Sequence, residues 1–233
     1  MSGLERVDYS DRGTALTGWL ARPAGKPRAA VVVFPTIMNV TPVIEAKAAA
    51  LADAGYLALI ADFYGEIPAS FPASAELAKA LRADTNTYRA RLHAALAVLD
   101  KLAAGLPRAA IGFCMGGQAV LELARSDADL ALVASFHGLL ETDRPADRPI
   151  RARILVCHGD ADALVPRDHV MRFWEEMDAV GANWHFHSYS GVPHGFTNPN
   201  PSPATGAVVH DASADRQSWA ALLGLLDEVL AVA

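Results

Sequence analysis

Cysteine is scarce in this chain, two in 233 residues, which excludes a disulfide framework as the source of its stability. Clustered positive charge is also missing. The formal net charge is −6 and no Lys/Arg cluster stands out, which speaks against nucleic acid or an anionic membrane as a partner. Long apolar runs are absent too: runs such as Ala29 to Pro35 and Leu57 to Ala61 are strand-sized and far short of a membrane span. The opening Met1-Ser2-Gly3-Leu4-Glu5-Arg6 lacks the apolar centre of a signal peptide. No internal repeat and no low-complexity linker breaks the chain. These absences together predict a reducing, cytoplasmic setting.

What is present is a large apolar fraction, 52% of residues, enough to bury a sizeable core in one α/β domain spanning residues 1–233. Residues 4–22 alternate around the turn Ser10-Asp11-Arg12-Gly13, predicting a β-hairpin of Leu4–Tyr9 and Ala15–Ala21. Ala30 to Phe34 is continuously apolar, as a central parallel strand covered on both faces must be. A helix from about Pro42 to Ala54 follows, closed by Gly55, and then a strand, Tyr56–Ala61. Residues 73–104 read as a short helix and a longer one from about Thr85. Strands at Arg108–Ile111, Leu130–Phe136, Ile154–His158 and Trp184–Tyr189 alternate with helices at 118–125 and Asp168–Val180. The segments Glu141 to Arg153 and Ser190 to Ala204 read as loops, and a helix over Ala212–Val232 closes the chain. Alternation after an antiparallel opening predicts a mostly parallel, doubly wound sheet, whose ligands sit at the carboxyl ends of the strands.

Gly112-Phe113-Cys114-Met115-Gly116-Gly117 stands between a strand and a helix and has the nucleophile-elbow pattern G-x-S-x-G with Cys in the serine position. On so sharp a turn, a side chain two residues before or after the nucleophile would meet neighbouring backbone. The helix N-terminus beyond it favours a thiolate. The same six residues also fit a glycine-rich turn around an inert buried cysteine, so the rest of the chain decides.

A cysteine nucleophile needs a base and an orienting group. Of eight His residues, His93 lies within a helix, and His169 and His210 stand near helix starts. His185 and His187 share a strand face without a Cys or carboxylate at ligand spacing, so no metal site is predicted. His137 and His158 end strands, where each can support a loop or react. His194, in Gly191-Val192-Pro193-His194-Gly195-Phe196, follows the last strand and can reach across the strand ends to Cys114. Between them, His158-Gly159-Asp160-Ala161-Asp162 offers two carboxylates. Asp162, past the glycine and directly before the helix entry, fits the orienting role, which leaves Asp160 to bond loop N–H groups. The order nucleophile, acid, histidine is that of α/β-hydrolases. Cys157 reads as a buried strand residue. With one strand between them, the strands ending at the two cysteines lie about 9–10 Å apart, beyond the roughly 7 Å reach of a disulfide.

On these motifs the chain resembles the dienelactone hydrolase family, small single-domain α/β-hydrolases with a Cys–Asp–His triad and the elbow G-x-C-x-G-G. The similarity runs through Val31–Phe34, Ala52 to Gly65, the elbow, His158 to Pro166 and Pro193 to Phe196. The resemblance implies an eight-stranded sheet and hydrolysis of a small carboxylic ester or lactone. It implies Cys114 as nucleophile, Asp162 as orienting acid and His194 as base, with the backbone N–H groups of Ile37 and Met115 as oxyanion hole. No cofactor or metal is expected. The expected partner is the small-molecule substrate, and the expected assembly is a monomer or small homo-oligomer. Two departures stand out. Well-known members carry a Glu where this chain has Thr36, and they use arginines to hold a substrate carboxylate. Here the loop after His194 has no Arg, which leaves Arg82 or Arg89 as suppliers. The missing Glu also keeps open a second function, a redox-sensing or non-catalytic protein using Cys114 as a reactive thiol.

Overall fold

Three strands of nearly unbroken apolar sequence build the centre of the molecule, and burying both faces of each requires helices above and below. The computed structural model describes residues 3–200 and 209–230. The strands are β1 Glu5–Asp11, β2 Thr14–Ala21, β3 Ala30–Phe34, β4 Leu57–Ile60, β5 Arg108–Phe113, β6 Leu132–Phe136, β7 Arg153–Gly159 and β8 Trp184–Tyr189. The helices are α1 Pro42–Asp53, α2 Phe71–Arg82, α3 Thr85–Leu102, α4 Met115–Arg125, α5 Arg167–Ala179 and α6 Ala212–Leu230. The sheet has eight strands in the order β1-β2-β4-β3-β5-β6-β7-β8, antiparallel at β1, β2 and β4 and parallel from β4 through β8.

Side chains alternate across the sheet, so Ala30, Val32 and Phe34 of β3 face one layer and Val31 and Val33 the other. The first layer packs against Leu92 and Leu99 of α3, Val120 and Leu123 of α4, and Phe173 of α5. The second packs against Ile44 and Leu51 of α1 and Leu222 and Leu226 of α6. Each of these buried aliphatic side chains contributes about 1.5–3 kcal/mol relative to exposure. The helices are punctuated by caps. Thr41, Ser70 and Asp84 each accept a backbone N–H at the starts of α1, α2 and α3.

Strand order places the site. From β3 the chain steps to β4 on one side and then to β5 on the other, so the carboxyl ends of β3 and β5 border a topological switch point. The segment Pro35 to Asn39 leaves β3 there, and Cys114 leaves β5 there.

The opening hairpin turns on Arg12 and Gly13 alone, at φ 49 and 85. That is tighter than the four-residue turn read from sequence, because a two-residue turn with both φ positive matches the strand twist. The short helix begins at Phe71 because Ser70 caps it and Pro72 fits its first turn. β6 lies between β5 and β7, and both cysteines are free. Residues 201–204 of the predicted long loop and 231–232 of the predicted last helix lie outside the described residues. Among the described residues no helix is long and apolar enough to cross a membrane.

Candidate active site

Cys114 sits between β5 and α4 at φ 56, a left-handed conformation that costs a non-glycine residue about 1–3 kcal/mol. The neighbouring glycines make the turn possible. A Cβ on Gly112 would strike the Gly116 carbonyl, and one on Gly116 would strike the carbonyls of Phe34 and Pro35. Gly116 therefore lets the end of β3 close onto the elbow. Cys114 is the N-cap of α4, yet its side chain makes no capping bond, so the sulfur of this partly buried residue is left for other partners.

The loop after β7 carries Asp162. Its backbone N–H donates to the Gly159 carbonyl at 3.0 Å, and its Oδ1 accepts from Leu164 N at 2.9 Å. Its Oδ2 accepts from His194 Nδ1 at 2.7 Å, with both side chains buried. The Nδ1 bond leaves Nε2 as the ring atom turned toward Cys114, and Nε2 is buried without a hydrogen bond of normal geometry. Sequence assigned Asp160 to loop N–H groups. Instead its carboxylate forms an exposed bidentate pair with Arg167 at 3.0 and 2.7 Å, and the loop N–H bond belongs to Asp162. The side chain of Asp160 points outward to solvent, where a guanidinium can reach it.

Burial alone would push the Cys114 thiol up. The facing His194, followed by the backbone N–H groups of Met115 and Ile37, outweighs it and holds the thiol below its ordinary range. Burial likewise works against a charged His194, but Asp162 and then Cys114 overcome it and push the imidazole up to about 10. Both shifts act in the direction of a thiolate facing an imidazolium, with the backbone N–H groups of Met115 and Ile37 donating toward the sulfur. Thr36 turns to its own loop: its Oγ1 accepts from Met38 N at 3.2 Å and its carbonyl accepts from Asn39 N at 2.9 Å.

Several residues around this centre were not found in the sequence. Asn39, at φ 60, donates from Nδ2 to Asp62 Oδ1 at 2.7 Å and to the Glu66 carbonyl at 3.0 Å, which ties the Ile37 loop to the end of β4. Tyr88 Oη donates to the Met115 carbonyl at 3.2 Å, and Tyr64 Oη donates to Met115 Sδ at 3.3 Å. His137 supports the elbow: its Nδ1 accepts the Cys114 backbone N–H at 3.2 Å. His158 is buried against Phe186, with neither ring nitrogen bonded. Of the two candidate arginines, Arg89 is occupied by buried Glu122 at 2.8 Å. Arg82 bonds Gln118 Oε1 at 3.3 Å and the Ala78 carbonyl at 3.2 Å, and it lines a cavity of about 310 Å³ with Tyr88 and Gln118. His185 Nε2 meets Arg153 at 2.9 Å, and among the described residues no His/Cys/Asp/Glu group is arranged to hold a metal ion.

Residues 16–230 match the model of the dienelactone hydrolase family. A probable 2-oxo-3-(5-oxofuran-2-ylidene)propanoate lactonase from Bradyrhizobium sp is 30% identical over 210 residues, 83% of this chain and 84% of the relative. Carboxymethylenebutenolidase 2 of Cupriavidus pinatubonensis is 34% identical over 122 residues, 49% of this chain and 52% of the relative. Among solved structures, a dienelactone hydrolase-like promiscuous phosphotriesterase from metagenomic libraries superposes with a TM-score of 0.88 at 30% identity, covering 97% of this chain and 98% of the other. The elbow, the strand order and these matches agree: this chain belongs to the dienelactone hydrolase family.

Proposed function

We propose that this protein, read as one domain over residues 1–233, hydrolyses a small carboxylic ester or lactone through an acyl-thioester on Cys114. The observation that carries the mechanism is the buried Asp162–His194 bond at 2.7 Å, which leaves Nε2 unpartnered toward the sulfur. In this reading the Cys114 thiolate attacks the carbonyl carbon, and the electron pair of the C=O bond moves onto oxygen. The N–H groups of Ile37 and Met115 hold that oxyanion, each worth about 3–4 kcal/mol. The imidazolium of His194 then protonates the leaving alkoxide, which in a lactone remains tethered to the acyl group. Neutral His194 next takes a proton from water as the hydroxide adds to the thioester, and collapse releases the carboxylic acid and restores the thiolate. Asp162 keeps the Nδ1–H tautomer and stabilises the charge on the ring.

Arg82 supports a substrate that carries an anionic group. Its guanidinium bonds only neutral oxygens among the described residues, and of the three acidic residues that share its cavity Glu122 and Glu141 have cations of their own, which leaves Asp143 as the one carboxylate there that a substrate anion would meet. A reducing compartment such as the cytoplasm keeps the thiol available.

The test is alkylation of Cys114 with iodoacetamide while hydrolysis of an activated aryl ester is followed. Activity falling in step with alkylation supports the reading; full activity in the alkylated protein sinks it. His194→Ala separates catalysis from a sensing thiol, because oxidation of a sensor needs no acid–base relay. Under catalysis the variant loses turnover.

A further inference from the structure

We propose that His137 and Thr197 form a positioning bridge that locks the nucleophile's turn and the His194 loop into one fixed relation. The proposal rests on the reading of Cys114 and His194 above. His137 closes β6, is buried, and has its backbone at φ 41. The Cys114 backbone N–H, on a residue that is itself left-handed, is shared between the Phe136 carbonyl at 3.0 Å and His137 Nδ1 at 3.2 Å. An N–H donating to Nδ1 requires a lone pair there, so the ring hydrogen resides on Nε2. Nε2 lies 2.9 Å from Thr197 Oγ1, in a buried contact, and donates to it. Thr197 stands three residues beyond His194. One neutral imidazole therefore holds the backbone of the nucleophile at one end and the loop of the base at the other.

The ring also sets lateral position. It stands edge-on to His194 and to Phe196, with 5.2 Å between centroids in each case. The charged groups that act on it are His194 and, from α1, Lys47; burial comes first and all three disfavour an imidazolium, so the neutral ring persists at ordinary pH. A charged His137 would lose the Nδ1 lone pair that anchors the elbow and would set a second cation against His194. No other described side chain bonds both the elbow backbone and the loop after His194.

Three variants test the bridge. Thr197→Val removes the acceptor oxygen at nearly constant volume, Thr197→Ser keeps it, and His137→Phe takes away both ring nitrogens, and with them the acceptor for Cys114, while keeping an aromatic ring. The readouts are kcat and KM on an aryl ester and the pH dependence of Cys114 alkylation. Displacement of a reacting group costs up to roughly 100-fold, so kcat of Thr197→Val should fall toward that extent with KM little changed. Its alkylation midpoint should move to higher pH as the thiolate loses its aligned partner. His137→Phe should shift both readouts the same way, and Thr197→Ser should keep both near wild type. Folded Thr197→Val and His137→Phe proteins with wild-type kcat and midpoint overturn the bridge, even when their melting temperature drops. Should Thr197→Val not fold, His137→Phe against Thr197→Ser decides alone. Wild-type protein that stays active once alkylated refutes the assignment of Cys114 instead, so the two failures are distinguishable.

Discussion

Asn39→Ala probes the anchor beneath the Ile37 loop. The substitution deletes the 2.7 Å bond to the Asp62 carboxylate, the 3.0 Å bond to the Glu66 carbonyl and the long 3.4 Å bond that Oδ1 accepts from Phe63 N, and leaves alanine at φ 60. Asp62 keeps three backbone donors, Thr17, Tyr64 and Gly65, each at 2.9 Å, so its charge is not stranded. A bond to a charged group, a neutral bond and a left-handed alanine together amount to about 3–6 kcal/mol. For a chain of this size the melting temperature should fall by roughly 6–24 °C. Activity should fall further than stability explains. Under the proposed mechanism Ile37, two residues away, is an oxyanion donor, and losing one aligned donor costs about 10²–10³ in kcat. Asn39→Gly provides the control, because glycine tolerates φ 60 and should regain about 1 kcal/mol of stability without regaining kcat. Kinetics on an aryl ester below the melting range would separate kcat from KM. A glycine variant with wild-type kcat would refute the anchor and leave backbone strain as the only function of Asn39.

Further outcomes follow from the same geometry. Asp162→Asn removes the anion that holds His194 charged, so the imidazole falls from about 10 and the thiolate loses its partner. The pH profile of Cys114 alkylation should therefore move to higher pH, and kcat should drop by roughly 10³–10⁴. Arg82→Ala should raise KM for a carboxylate-bearing lactone by roughly tenfold or more and leave KM for a neutral aryl ester little changed; steady-state kinetics on the two substrates checks it. Arg125→Met breaks a buried network in which the guanidinium bonds Glu122, Glu176 and the Leu140 carbonyl. Thermal melting should register a loss of about 3–5 kcal/mol. Arg125 ends α4 about 16 Å along the axis from Cys114, so kcat of the folded variant should stay near wild type.

The features legible in the sequence are those set by local pattern. Val31 to Phe34 cannot be exposed on either face, and Gly112 and Gly116 flank the one cysteine that follows a strand and opens a helix. His194 and Asp162 stand beyond other strand ends, and strand ends converge in a doubly wound sheet. What escaped depends on side-chain direction across long separations. Asp160 and Asp162 are two apart in one turn, and only backbone geometry shows that the first meets Arg167 in solvent while the second meets His194 in the core. Asn39 reaches Asp62 from 23 residues away, and His137 reaches Thr197 from 60 away. A sequence records neither contact, although an Asn in a loop between strand and helix is one hint of a left-handed residue. Arg82 and Arg89 look alike in sequence. They separate because Arg89 meets Glu122 on α4, while Arg82, at the end of α2, faces the cavity.

Thr36 sharpens the question of how the thiolate is maintained. A hydroxyl there cannot take a proton from the thiol or give one back, and it is already used by Met38 N. Under the proposed mechanism the charge on sulfur must therefore be held by His194 and the two backbone N–H groups of Ile37 and Met115. Those N–H groups are also the ones the oxyanion needs. Attack moves negative charge from sulfur to the carbonyl oxygen, so the same donors serve the resting anion first and the tetrahedral intermediate next. The consequence is a trade. Every stabilisation of the resting thiolate by Ile37 and Met115 lowers the ground state as well as the transition state, and only the difference accelerates the reaction. Stabilisation by His194 carries no such cost in the later step, because the imidazolium formed at rest is the acid that the leaving group requires. A substitution that weakens His194 should thus slow acylation more than one that weakens a single backbone donor to the resting sulfur, and pre-steady-state acylation rates would rank the two.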